Sequence, residues 1–149
     1  MDKKLIQEEF ERLIPFVKRN SMEVLKIDRG YVKMRAKLQI NKNHFGCIYA
    51  GALFSLGELP GGALWLSTFN TSKFFVLVKA ASIDFISPAF SDATVEVTIP
   101  NEEIERINSE AERDGKSDFS LESEIKDENG KIAAVFRGAY QLRKKDKAL

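Results

Sequence analysis

Apolar positions recur with a period near 3.6 over residues 3 to 18, where Ile6, Phe10, Leu13, Ile14 and Val17 share one face, with Leu5 at its edge. Acids come early (Glu8, Glu9, Glu11) and bases late (Lys18, Arg19), which complements a helix dipole. The pattern predicts a helix that Pro15 kinks or shortens. The period then falls to two. "SMEVLKIDRGYVKMRAKLQI" reads as two strands joined at Asp28-Arg29-Gly30, led by Met22, Val24 and Leu25 and continued by alternating Val32, Met34, Ala36, Leu38 and Ile40. Residues 51 to 66 lack β-branched side chains and are apolar on nearly every side, the pattern of a buried helix. Pro60-Gly61-Gly62 predicts a kink or an early end there. "FFVLVKAASIDFISPAF" reads as a long strand with Pro88 near its end, and "ATVEVTI" as another. A short charged helix is expected from Pro100 to about Arg113. "SDFSLESEIKD" and "IAAVFRGAYQLR" are the last strands, joined through the hairpin signal Asn129-Gly130, and "KKDKAL" reads as a frayed basic tail.

Helix, two strands, a buried helix and four strands with a small helical insert describe an α+β chain. An antiparallel sheet wrapped around one central apolar helix is the hotdog arrangement. No repeat, low-complexity run or linker divides residues 1–149, so one domain is expected. With 44% hydrophobic and 30% charged residues, the chain can build a core and stay soluble. A formal net charge of +1 lacks the basic excess that non-specific nucleic-acid binding needs. Cys47 is the only cysteine, which rules out an intrachain disulfide and fits a reducing compartment. "MDKKLIQEEFERL" has no apolar signal core, and no apolar run reaches the ~18 residues of a membrane span. A soluble cytoplasmic protein is the expectation.

One stretch does not fit a purely structural reading. "NHFGCIYAGALFSLGEL", residues 43 to 59, carries a single carboxylate, Glu58, among Leu53, Phe54, Leu56 and Leu59. A buried carboxylate is costly unless it is paired or has a task. The stretch resembles the hotdog-fold acyl-CoA thioesterases. The phenylacetate-pathway type reads Asn-x-x-Gly-x-x-His-Gly-Gly, then x-x-Phe-x-Leu-Ala-Asp/Glu. Asn43, Gly46, Gly51, Phe54, Leu56 and Glu58 match at the same spacing. "ASIDFISPA" resembles that family's third strand, and "KDENGKIAAVFRGAYQL" its closing hairpin. The chain is also similar to the thioesterase-like domain at the C-terminus of some acetyltransferase-like proteins. It departs from the pattern where Tyr49-Ala50 replaces His-Gly; the one histidine, His44, comes earlier.

Thioester hydrolysis needs an activated water or nucleophile, a cradle for the oxyanion and a place for the acyl chain. A helix beginning near Gly51 has unpaired first amides, and a glycine there lets a carbonyl approach the backbone. Glu58 lies about two turns further on, roughly 10 Å of rise, too far to serve the same carbonyl. The resemblance implies the resolution: hotdog sites form between two subunits, the acid of one facing the helix cap of the other. It implies Glu58 as general base or nucleophile with a raised pKa, Gly51 as oxyanion donor, and Asn43 orienting carbonyl or water. His44, Gly46, Tyr49, Ala50 and Phe54 would surround the substrate. A homodimer follows, with a dimer of dimers left open. No cofactor or metal is expected, coenzyme A entering only as part of the substrate.

Plainer readings stand beside these. Glu58 could pair with a lysine or amide across a dimer, Asn43 could serve the turn alone, and His44 could be a hydrogen-bonded loop residue. Cys47 has no base placed for it and reads as a small packed side chain. Trp65, Phe69, Phe74 and Phe75 read as core. Two other functions share the fold. A hotdog 3-hydroxyacyl thioester dehydratase pairs a loop His with a helix acid, as His44 and Glu58 do, but its prolines are missing. A non-catalytic acyl-CoA-binding protein would keep the pocket and lack turnover.

Overall fold

The structure, a computed structural model, describes residues 2–145. Helix α1 (Lys3–Leu13) is capped by Asp2, whose carboxylate accepts the Lys4 N–H, and α2 (Pro15–Arg19) follows after a single residue. The break is the effect of Pro15. A proline disfavours helical geometry in the residue before it, and Ile14 sits at φ −129°, ψ 86°, so one predicted helix becomes two.

Strands β1 (Met22–Asp28) and β2 (Tyr31–Ala36) form a hairpin that turns at Gly30, where φ is +72°. Leu38 and Ile40 do not continue β2 as the alternation predicts. Leu38–Asn41 is a single helical turn, α3. Side-chain hydrogen bonds compete with the ladder here: the distant Asp92 accepts the Leu38 N–H, and Asn41 Nδ2 donates locally to the Lys37 carbonyl.

The central helix α4 runs Ala50–Thr68, slightly longer than predicted and without an end at Pro60. It contacts all six strands. This packing holds the helix where the proline deletes a backbone donor, and the buried Tyr140 hydroxyl donates to the Glu58 carbonyl within that weakened turn (2.9 Å). Then come β3 (Phe74–Phe85), β4 (Ala93–Thr98), α5 (Asn101–Asp114), β5 (Lys116–Lys126) and β6 (Ile132–Lys144). The strand predicted to run on past Pro88 stops at Phe85. The N–H groups of Ile86 and Ser87 both turn to the Ala133 carbonyl, and Pro88 has none to offer. Asp127 organises the β5–β6 turn by accepting the N–H groups of Asn129 and Lys131, with Gly130 at φ +78°. Of the tail expected to fray, Lys144 instead ends β6 and the Lys145 N–H donates to the Lys73 carbonyl, while 146–149 lie outside the described residues.

The strands make one antiparallel sheet in the order β1-β2-β4-β5-β6-β3. Its inner face closes on α4 through a continuous core that includes Leu56, Leu64, Phe136 and Tyr140. This is the hotdog fold. Strand β3 has β6 on one side and a free edge on the other. None of the described helices is long and apolar enough to cross a membrane.

Candidate active site around the start of the central helix

Residues 43–47 close a tight loop before α4. Asn43 N–H donates to the Cys47 carbonyl, Gly46 N–H to the Asn43 carbonyl, and Gly46 takes φ +82°. The Asn43 side chain is oriented by the same loop. Its Oδ1 accepts the Phe45 N–H at 2.9 Å and the Cys47 N–H at 3.3 Å. Both partners are donors, so the oxygen must face the loop. The Nδ2 group is therefore turned outward, and it has no acceptor among the described residues.

Tyr49 enters the helix as N-cap without a side-chain bond. Its carbonyl accepts the N–H groups of Ala52 and Leu53. The N–H groups of Ala50 and Gly51 find no partner among the described residues, as the first turn of a helix predicts. The Tyr49 ring lies over Gly51 so closely that a Cβ there would sit 2.5 Å from Cε1.

Two cavities flank this helix start, and Asn43 borders both. The larger, about 520 Å³, lies between α2, α3 and α4 and includes Phe16, Ile40, Asn41, His44, Gly51 and Ser55. The smaller, about 280 Å³, is walled by Ile48, Ala50, Leu53 and the segment Phe85–Pro88. Of the residues singled out in the sequence, Asn43, His44, Tyr49 and Gly51 border the larger cavity, and Asn43 and Ala50 the smaller. Gly46, Phe54 and Glu58 line neither cavity. Phe54 instead packs edge-on against Phe136, with ring centroids 5.4 Å apart. His44 is exposed and leans on Phe45. Phe16, Ile40, Asn41, Ser55 and the Phe85–Pro88 segment were missed. Phe16 and the Phe85–Pro88 segment come from distant parts of the chain, while Ile40, Asn41 and Ser55 lie beside or within the 43–59 stretch but outside its motif positions.

Glu58 lies on the half-buried stripe of α4 with Gly51, Phe54, Ser55, Gly62 and Trp65. This stripe runs past β3, since Trp65 Nε1 donates to the Phe74 carbonyl at 3.0 Å. The Glu58 carboxylate has no hydrogen bond or ion pair among the described residues. Burial without a partner holds its pKa above the ordinary carboxylate value. Among the described residues, no three His, Cys, Asp or Glu side chains converge to hold a metal ion.

Residues 3–144 match the family model described as "Putative thioesterase (yiiD_Cterm)". The chain belongs to this thioesterase family. Its fold is close to that of a Pseudomonas aeruginosa protein of unknown function described as a "Probable Thioesterase", with 39% identity, 97% of each chain covered and a TM-score of 0.90. More distant thioesterase-family folds include a Haemophilus influenzae thioesterase, at 13% identity over 96% of this chain and 94% of that one, TM-score 0.73. The PaaI protein of the Escherichia coli phenylacetic acid degradation operon is similar at 18% identity over 97% of each chain, TM-score 0.65. Among curated proteins, none matches the sequence.

Proposed function

We propose that this chain hydrolyses acyl-CoA or related acyl thioesters as a homodimer, with each site built from the helix cap of one subunit and Glu58 of the other. The single observation that carries the reading is the Glu58 carboxylate: half-buried, unpaired among the described residues, and on the stripe of α4 that passes β3, the strand with an open edge. A structural carboxylate in such a place would be expected to hold a cation or an amide. Two groups lacking partners among the described residues at the helix start, the Gly51 N–H and the Asn43 Nδ2, supply donors where an oxyanion would form.

In this mechanism the Glu58 carboxylate takes a proton from water as the water oxygen bonds to the thioester carbon. Charge collects on the former carbonyl oxygen, which accepts hydrogen bonds from Gly51 N–H and Asn43 Nδ2. The C–S bond then breaks, and the thiolate leaves with the proton returned by Glu58, giving a carboxylic acid and a thiol. Glu58 acting as nucleophile would pass through an anhydride instead. In ¹⁸O water under single turnover, label in the enzyme's carboxylate, from water attack on the Glu58 carbon of the anhydride, can arise only by the nucleophilic route.

The test is thiol release from a panel of acyl-CoA thioesters. Glu58→Gln is expected to lose roughly 10²–10⁴-fold in kcat. Wild-type turnover in that variant removes Glu58 from the chemistry. Hydration of a trans-2-enoyl thioester that depends on His44 would replace hydrolysis by the dehydratase reading. Tight binding of acyl-CoA without turnover would leave a binding protein.

A further inference from the structure

The two cavities at the start of α4 differ in chemistry. The smaller has walls that are nearly all apolar: Ile48, Ala50, Leu53, Phe85, Ile86 and Pro88. The larger mixes apolar Phe16 and Ile40 with amide and hydroxyl groups, and at about 520 Å³ it is within the range of small-molecule pockets.

Within the larger cavity one group is unsatisfied in a specific way. Asn41 is only 5% exposed. Both Nδ2 protons are committed, to the Asn20 carbonyl at 2.8 Å and the Lys37 carbonyl at 2.9 Å. That fixes the amide and leaves Oδ1 as an acceptor with no protein donor among the described residues. No fully enclosed side-chain oxygen or nitrogen among them lacks a partner, so Oδ1 is not fully enclosed, and Asn41 lines the larger cavity. Ser55 adds a second acceptor, because its hydroxyl proton goes to the Gly51 carbonyl at 2.8 Å. Fixed acceptors beside apolar walls suit a ligand that alternates methylenes with N–H groups. A plain acyl chain has no donor and would leave them unpaired, which is costly.

We propose that the two cavities divide a thioester between them. The acyl group occupies the apolar cavity beside Phe85–Pro88. The pantetheine arm, the part common to coenzyme A and acyl carrier proteins, runs into the larger cavity, where Asn41 Oδ1 accepts the amide N–H nearest the sulfur. This rests on the thioesterase reading and adds the direction in which the substrate lies across the helix cap. Asn41 is a substrate-binding residue here, and Ile40 and Ile86 set the room on either side.

The experiment compares acyl-CoA, the matching N-acetylcysteamine thioester, its N-methylated analogue, and the S-ethyl thioester, each over several acyl lengths. N-methylation deletes the donor and is expected to lower kcat/KM roughly tenfold, toward the S-ethyl value. Ile40→Trp, at an exposed position, narrows the larger cavity and should abolish the advantage of the arm-bearing substrates while leaving acyl-length preference unchanged. Ile86→Trp, also at an exposed position, should shift the preference to shorter acyl groups and leave the effect of N-methylation intact. The reverse pattern, or no effect of N-methylation, overturns the assignment even if hydrolysis is robust. Calorimetric binding of a non-hydrolysable S-alkyl-CoA thioether and its N-methylated counterpart reads the same contact without turnover. If they differ roughly tenfold in affinity but no thioester is hydrolysed, the cavity assignment stands and the hydrolase reading falls.

Discussion

At the scale of single residues, the proposed site is a set of polar groups left without partners among the described residues: the Gly51 N–H, the Asn43 Nδ2, the Asn41 Oδ1 and the Glu58 carboxylate. Each stays open for a physical reason: helix geometry, an Asx turn, an amide committed to the Asn20 and Lys37 carbonyls, and a half-buried helix stripe use up or exclude the alternatives. Glu58 also carries a pH signature. Its pKa is raised by burial above the ordinary 4.5. Below that value the group is protonated in both folded and unfolded chains and costs nothing. As pH rises through it, the unfolded chain ionises first and stability falls until the folded group ionises as well. Glu58→Gln should therefore raise the thermal midpoint at neutral pH and have no effect near pH 3, a difference readable by calorimetry. Activity should run the other way. A general base must be ionised, so kcat should climb with pH through a midpoint above 4.5. A midpoint at or below that value would mean the burial is relieved in the working enzyme.

At the scale of elements, α4 decides how close the helix comes to the sheet. A Cβ on Gly57 would meet Phe136 Cγ at 2.5 Å, and one on Gly61 would meet Tyr140 Cε1 at 2.2 Å. Both rings are fully buried and cannot swing away. Helix propensity alone says Gly57→Ala should stabilise by up to about 1 kcal/mol. Overpacking should win, giving a loss of roughly 1–3 kcal/mol in denaturant unfolding. A gain would show that α4 can lift from β6. The same close packing explains why Pro60 does not end the helix. The residues that overrule it, Phe136 and Tyr140, lie far along the chain, out of reach of any window around the proline.

At the scale of the whole molecule, the informative feature is the β3 edge. Its outer face is tied into ion pairs, Lys79 with Asp118 and Asp84 with Arg137. Its inner side chains Val78 and Phe85 are left 46% and 54% exposed beside the α4 stripe. An open strand with apolar side chains is a template for pairing with a second copy. Val78→Glu combined with Ala81→Glu changes only exposed positions. The pair should yield a folded monomer in sedimentation with thiol release largely lost. A fully active monomer would end the shared-site mechanism.

Most of the architecture could be read from the sequence because period, caps and turn residues are local chemistry. The buried helix, the Asn129-Gly130 hairpin and the loop-to-helix motif from Asn43 to Glu58 all declare themselves within a few residues. What failed was local too, but out-competed: Leu38 and Ile40 kept a strand's alternation while Asp92 and Asn41 bent them into a turn. Only the tertiary structure decided which groups remain unpaired among the described residues, that Phe16, Ile40 and Asn41 meet Gly51 around one cavity, and that Glu58 sits on the half-buried stripe of α4 in a sheet whose last strand, β3, has one open edge. Such facts depend on what distant segments bring within hydrogen-bonding or packing distance, and no short stretch of sequence contains its own neighbours.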